Sequence, residues 1–492
     1  MELITRASKE ADRIAILAHG KTHTYGKLFD ESGQLAWLLL GDSSDLEEER
    51  IAFMVPPGYD YVRVQWAIWR AGGIAVPLCL TYPLPSLVYV LQDTGARTII
   101  VARQYADLLQ DYARENELRF LILEDLLPVA KKPLPDITSG RRAMILYTSG
   151  TTNLPKGVVS THGNLEAQIA MLVEAWEWSA DDRILCILPL HHVHGIVNVI
   201  GCALWCGASV VFQPKFDPQS VFRSFREDGL TLFMAVPTIY YKLIAYFDQL
   251  SPEEQESLTS SMQAFRLMVS GSAALPVSVM ERWQVLSGHR LLERYGMTEM
   301  GMAISNPYHG ERRPGHIGQA LPGVTVRLVD ENNLVVPDGD AGEIQVKGAN
   351  VFHEYWKKPE ATRETFTEDG WFKTGDIAIL DDGYYRILGR SSVDIIKSGG
   401  YKISALEIEE VLRTHPQIRD CAVVGIPDDE WGELVVAALI PAGAEVLDTD
   451  LLDPWIRERL PAYRIPRRYL VVEDLPRNAM GKVTKKEVRK LF

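Results

Sequence analysis

The sequence predicts an α/β protein: a large N-terminal domain of sheets flanked by helices, ending in a small antiparallel unit, and then a small, mobile α+β C-terminal domain. Three observations carry this. Short apolar runs alternate with amphipathic stretches of helical length through the first two thirds of the chain. From about Thr325 the texture changes to short runs separated by turn-forming residues. A length of 492 residues also exceeds what one hydrophobic core supports, so at least two domains are required.

In chain order, residues 143–147, 184–188, 232–236 and 267–270 read as strands. Residues 164–176, 238–247 and 277–286 follow several of them with helical periodicity. Residues 324–329, 342–346 and 384–388 read as strands of the antiparallel unit. The turns between them are marked by Asp330-Glu-Asn-Asn333, Pro337-Asp-Gly339 and Asp381-Asp-Gly383. A boundary falls near Gly389-Arg390-Ser391-Ser392, which divides the chain into 1–389 and 390–492. Beyond it a helix (405–414), strands (421–425, 435–440), a helix (450–460) and a strand (469–472) make a compact α+β unit.

Composition excludes several classes of function. A formal net charge of -14 argues against nonspecific binding to nucleic acid or to an anionic membrane surface. The five cysteines include no CxxC pair, which disfavours a disulfide framework or a zinc site. The most apolar run, 196–206, is too short to span a membrane and contains Asn198. The first residues carry Glu2, Glu10 and Asp12 without an apolar core, so the expected location is cytoplasmic. Monomer and homodimer are equally open.

The strongest chemical signal is Tyr147-Thr-Ser-Gly-Thr-Thr-Asn-Leu-Pro-Lys156-Gly157, placed directly after a strand. Glycines let backbone approach phosphate oxygens, hydroxyls and N–H groups donate to them, and Lys156 adds a point charge. It is not a Walker A loop, because Lys156 is followed by Gly157 and position 151 is Thr. A flexible surface loop is the plain alternative. His191, His192 and His194 lack the spacing of a metal motif and have no carboxylate close by in sequence.

The loop resembles the signature of the adenylate-forming superfamily, which includes acyl-CoA synthetases, luciferases and adenylation domains of peptide synthetases. Further motifs stand in that family's order. They are Thr24-Tyr-Gly-Lys-Leu28, Leu188-Pro-Leu-His-His-Val-His194-Gly195, Ser270-Gly-Ser-Ala-Ala-Leu275, Tyr295-Gly-Met-Thr-Glu299 and Thr374-Gly-Asp376. Gly389-Arg390, Lys397-Ser-Gly-Gly-Tyr-Lys402 and Pro476-Arg-Asn-Ala-Met-Gly-Lys482 complete the set. The resemblance covers nearly the whole chain.

It implies ATP, Mg²⁺ and coenzyme A as reactants with a small carboxylic acid, and AMP and pyrophosphate as products. The loop formed by Thr148, Ser149, Gly150, Thr151, Thr152 and Lys156 would hold the β- and γ-phosphates. Tyr295 would stack on adenine, and Asp376 would hold the ribose with Arg390 nearby. Thr298 would meet the α-phosphate and Glu299 the Mg²⁺. Lys482 would bridge the acyl carboxylate and the α-phosphate. Lys397, Gly399, Gly400 and Lys402 would serve the coenzyme A step after the small domain rotates.

The acid is suggested by Glu293-Arg294-Tyr295, where synthetases for acetate, fatty or aromatic acids usually carry a small or neutral residue before the tyrosine. A buried arginine needs an anionic partner, and a second carboxylate on the substrate provides one. In this the chain resembles malonyl-CoA synthetases, with His192, Ser270, Ser272 and Met302 completing the expected acyl site. The plainer alternative pairs Arg294 with Glu293 or Glu299. Methylmalonate differs by one methyl group, worth only ~1–3 kcal/mol, so the two diacids are not separated by sequence. Other readings are a short- or medium-chain fatty acyl-CoA synthetase and a free-standing adenylation domain that loads a carrier protein. The chain departs from the family at Gly389-Arg-Ser-Ser-Val-Asp394, which holds one residue more than the usual hinge and places the pivot near Ser392–Val393.

Overall fold

The computed structural model describes residues 1–148, 155–213, 215–443, 447–449, 452–477 and 482–492, and every count below refers to these. Two large sheets form the first body. One has nine strands, in the order Gln319–Ala320, Gly301–Ser305, Leu292–Met297, Leu267–Ser270, Leu232–Ala235, Arg183–Cys186, Ser209–Phe212, Ile14–Ala18 and Lys21–Thr24. The other has seven: Glu354–Tyr355, Lys156–Thr161, Arg142–Thr148, Ile74–Pro77, Arg50–Met54, Thr98–Val101 and Arg119–Ile122. Inner neighbours are parallel, and antiparallel pairing is confined to the edges. Parallel pairing requires crossovers, and the intervening helices supply them while covering both faces.

Alternate residues along a strand feed different layers. Ile51 and Phe53 enter the core between the sheets, whereas Ala52 and Met54 face outward helices. Ile184 and Cys186 do the same opposite Leu185 and Ile187. Helices Tyr25–Leu40, Tyr59–Arg70 and His162–Ala175 share the central core, so five layers stack as α/β/α/β/α. Helix starts follow local chemistry. Thr161 with Asn164 and Ser251 with Glu254 form capping boxes.

The antiparallel unit pairs Thr325–Val329, Gly342–Lys347, Phe372–Asp381 and Tyr384–Arg390. The third strand escapes sequence reading for a physical reason. Its inward residues include Thr374 and Asp376, so burial alternates while hydrophobicity does not. The last part of the chain builds a five-stranded sheet from Ile395–Ser398, Tyr401–Ser404, Ile418–Asp428, Gly432–Pro441 and Arg468–Val471. Helix Ala405–Arg413 lies on it as expected. The helix expected over 450–460 is shorter, Leu452–Arg457, and residues 450 and 451 lie outside the described ones.

The apolar run 196–206 is no membrane element. Residues His194–Gly201 form a π-helix that continues into Cys202–Cys206. No helix among the described residues is long and apolar enough to cross a membrane.

Candidate active site

Chemistry-bearing side chains gather where parallel strands of both sheets end, the usual place for a site in α/β folds. Three of the strands involved are Leu267–Ser270, Leu292–Met297 and Arg142–Thr148.

At one end, Tyr295 is buried on strand Leu292–Met297 and its hydroxyl donates to Asp376 Oδ2 at 2.6 Å. Asp376 and Arg390 are register partners on neighbouring strands, and Arg390 Nε donates to Asp376 Oδ1 at 2.9 Å. Burial works against the Arg390 charge, but Asp376 outweighs it and the pKa rises. The register slips between Tyr295 and Gly296. A Cβ at Gly296 would lie 2.0 Å from Gly301 O, so only glycine fits this bulge, which turns the chain toward Thr298 and Glu299.

A second cluster surrounds Glu299. Thr148 and Lys156 are partners at the mouth of a hairpin. The expected phosphate-binding residues Ser149, Gly150, Thr151 and Thr152 lie outside the described residues, but both stems are fixed. Tyr147 Oη donates to Asp93 Oδ2 at 2.6 Å, and Tyr89 Oη donates to Pro155 O at 2.8 Å. Lys156 Nζ sits 4.9 Å from the ring centre of Tyr355, whose hydroxyl donates to Glu299 Oε1 at 2.8 Å. Burial raises the Glu299 pKa, while Tyr355, Arg390 and Lys156 pull it back. Sequence reasoning missed Tyr355, which holds a lysine and a carboxylate of two separate motifs. Its pairing partner strand carries Lys156, and only that long-range pairing reveals it.

A third cluster is centred on Arg294, only 3% exposed. Its guanidinium lies against Gly271, where a Cβ would stand 2.4 Å from Cζ. Arg294 Nη2 is 3.5 Å from Ser272 Oγ, which in turn is 3.2 Å from His194 Nδ1. No carboxylate forms an ion pair with Arg294 among the described residues. Glu299 is engaged by Tyr355, and Glu293 turns its Oε1 to accept from Leu275 N–H at 3.0 Å. Burial lowers the Arg294 pKa to about 9, against the pull of Glu293, and raises that of Glu293 to about 8. Nε of Arg294, Oγ of Ser270 and Nε2 of both His192 and His194 are buried without a hydrogen-bond partner. Buried polar atoms are rarely left so, and these four, one of them the arginine's own, suit a polar ligand. The rings of His191 and His192 lie 4.0 Å apart, tilted at 50° to each other, and burial takes the His192 pKa down to about 3. Met302 is buried on strand Gly301–Ser305, beside Gly296.

The small domain delivers Lys482 to this cleft. The residue keeps contact with solvent at the mouth, yet the surrounding protein lowers its pKa, first by burial and then through Arg390 and Arg294, with Asp376 opposing. Residues 478–481 of its motif lie outside the described ones. Next to the expected pivot at Ser392–Val393, Asp394 Oδ2 accepts from Arg390 N–H at 3.0 Å. From Asp394 a chain of ion pairs runs to Lys485 (2.7 Å), Glu409 (2.7 Å), Arg413 (3.3 Å), Asp420 (3.2 Å) and Arg477 (2.5 Å). The Lys397–Lys402 motif is a hairpin whose Gly399 and Gly400 both have positive φ. Lys397 and Lys402 face each other across it, and Lys402 pairs with Glu331 of the large body at 2.7 Å. Beside the turn, Tyr401 stacks on Tyr463 at 4.4 Å, and Arg467 covers Trp431 at 4.6 Å, around an open cavity.

Two family models match the chain: AMP-binding enzyme over residues 3–356, and AMP-binding enzyme C-terminal domain over residues 407–482. Among curated relatives, a mitochondrial malonate–CoA ligase of Xenopus laevis is 45% identical, over 99% of this chain and 91% of the relative. A malonate–CoA ligase of Arabidopsis thaliana is 40% identical, over 99% and 87%. Among solved structures, ATP-bound MatB from Rhodopseudomonas palustris superimposes with a TM-score of 0.91 at 32% identity, covering 100% of this chain and 98% of that one.

Proposed function

The chain belongs to the AMP-binding enzyme family, and from that premise we propose that it is a malonate–CoA ligase, joining malonate to coenzyme A through a malonyl-adenylate. The observation that carries the choice of acid is Arg294, buried without a carboxylate partner among the described residues and facing Ser272. A lone buried cation is costly, and the second carboxylate of a diacid offsets that cost through a charge-assisted pair. Relatives named as malonate–CoA ligases support the same reading.

In the first step a malonate carboxylate oxygen attacks the α-phosphorus of ATP. The bond to the bridging oxygen breaks and pyrophosphate leaves. Two anions must meet, so positive charge has to be in place beforehand. Lys482 would supply it at the carboxylate and α-phosphate, and Lys156 at the outer phosphates. Tyr295 would pack on adenine while Asp376 accepts from the ribose hydroxyls. Glu299 suits a Mg²⁺ bound with the nucleotide, since its carboxylate is buried, oriented by Tyr355 and in no ion pair among the described residues. The metal would supply Lewis-acid charge to the phosphate oxygens.

In the second step the coenzyme A sulfur attacks the adenylate carbonyl carbon, AMP leaves with the C–O bond electrons, and the thiol proton passes to solvent. We place the division between the two bodies at residues 389 and 390, with rotation of the small body between the steps. The hairpin with Lys397 and Lys402 would then face the incoming coenzyme. In the arrangement seen, Lys402 is tied to Glu331, so that pair must open first. Five free cysteines suit a reducing compartment.

The test is thioester formation by purified protein with ATP, Mg²⁺ and coenzyme A across malonate, methylmalonate, succinate, acetate, butyrate and octanoate. Malonate or methylmalonate is expected to lead. A lead by a monocarboxylate would discard the role of Arg294. AMP release without thioester would point to a carrier protein as acceptor. Tyr355→Phe keeps the ring beneath Lys156 and removes only the hydroxyl. It is expected to lower adenylation roughly 10-fold, the loss of one charge-assisted hydrogen bond, and to raise the Mg²⁺ concentration needed for half-maximal rate. An unchanged Mg²⁺ titration would separate Tyr355 from the work of Glu299.

A further inference from the structure

We infer that Glu410 is a positioning residue for adenylate formation, a carboxylate of the small domain that docks on the N-terminus of the helix following the acyl-site loop and so holds Lys482 in the cleft. The inference rests on the reading above, that Lys482 serves the first half-reaction.

Glu410 Oε1 accepts from Val277 N–H at 3.0 Å. Val277 opens helix Val277–Ser287, whose N-cap residue, Pro276, offers no side-chain cap. The first turn of a helix exposes unsatisfied N–H groups and the positive end of the helix dipole. The large domain leaves that end without a cap of its own, and the small domain supplies one.

Other contacts between the two bodies differ in kind. Glu407, one turn earlier on the same face of helix Ala405–Arg413, pairs with Arg386 at 2.7 Å and with Arg464 at 2.8 Å. Arg386 stands four residues before Arg390, so this contact lies beside the proposed division between the two bodies. The Lys402–Glu331 pair is exposed on both sides, and such pairs contribute little. Glu410 reaches a segment 133 residues away in sequence, so its bond is specific to the docked arrangement.

The receiving helix sits at an informative place. The loop before it holds Gly271 against Arg294, and places Ser272 with a positive φ of 69°. Glu293 fixes that loop from inside through Leu275 N–H, and Glu410 fixes it from outside through Val277 N–H. The Glu293 pKa, raised chiefly by burial, is raised further by the charge of Glu410. Docking therefore braces the acyl-site wall in the same event that brings Lys482 forward.

The test uses the full-length protein with Glu410→Ala and Glu410→Gln. The first half-reaction is read as malonate-dependent exchange of labelled pyrophosphate into ATP. The second is read by loading the enzyme with adenylate in the absence of coenzyme A, with pyrophosphatase present, and then mixing rapidly with coenzyme A. Glu410→Ala is expected to slow exchange about 3- to 10-fold, the range of a helix-dipole contact. The coenzyme A step should stay level or quicken, at an unchanged melting temperature. Glu410→Gln keeps a neutral acceptor oxygen and should fall between. Wild-type exchange in both variants would overturn the inference, as would equal losses in the two half-reactions, which mark a structural cap only. Absence of malonate-dependent exchange in the unmodified protein would instead count against the proposed reaction.

Discussion

Lys482→Ala is expected to abolish adenylate formation, with a loss of about 10²–10³-fold or more, the scale on which a single preorganised charge-stabilising group acts. The structure gives the reason. Lys482 stands among Arg390, Arg294 and Asp376, and its pKa is lowered by burial and by the two guanidinium groups. A lysine held against like charges gains most when an anion arrives between them. In the proposed reaction the α-phosphate and the attacking carboxylate would be that anion pair. Thioester formation from supplied malonyl-adenylate should survive, because by then the phosphoryl chemistry is complete. Pyrophosphate exchange and adenylate consumption, measured on the same preparation, decide it. If both half-reactions fall together, Lys482 has no special tie to the first.

Arg294→Ala should reduce kcat/KM for malonate roughly 10²–10³-fold, as expected when one partner of a buried charge pair is removed. The KM for ATP should hardly move, since Tyr295 and Asp376 are bonded to each other and not to Arg294. Arg294→Lys should not rescue. The guanidinium is packed flat against Gly271, with an edge toward Ser272, and an ammonium group cannot reproduce that fork. Activity with acetate, which needs no second pairing, should fall far less. Equal losses for malonate and acetate would mean that Arg294 supports the wall and never meets the acid.

Much of this site was legible in the sequence because its parts are contiguous motifs at strand ends. Tyr295, Glu299, Asp376, Arg390 and Lys482 lie in one region of the structure, although 187 residue positions separate the first from the last. Arg294 was legible because an arginine next to the tyrosine is chemically out of place unless it meets an anion. What sequence could not supply were contacts fixed by sheet order. Tyr355 reaches Glu299 and Lys156 only because Glu354–Tyr355 pairs with Lys156–Thr161, a pairing with no local signal. Strand Phe372–Asp381 hid because its buried face carries Thr374 and Asp376. The docking of Glu410 on Val277 depends on how two bodies meet, which no periodicity records.

The ion pairs that run from Asp394 through Lys485, Glu409, Arg413 and Asp420 to Arg477 have a mechanical consequence. They join Asp394, beside the proposed pivot, to Arg477, and their inner members, Lys485 and Glu409, are buried. Breaking such a pair is costly, so the part between Asp394 and Arg477 is held stiffly. If the small body rotates as proposed, the part from Asp394 to Arg477 would turn as one piece, and the end point of the swing would be set by where it meets a stop. Under the proposed rotation, timing would then belong to the stop and the pivot, leaving the tip free for the chemistry.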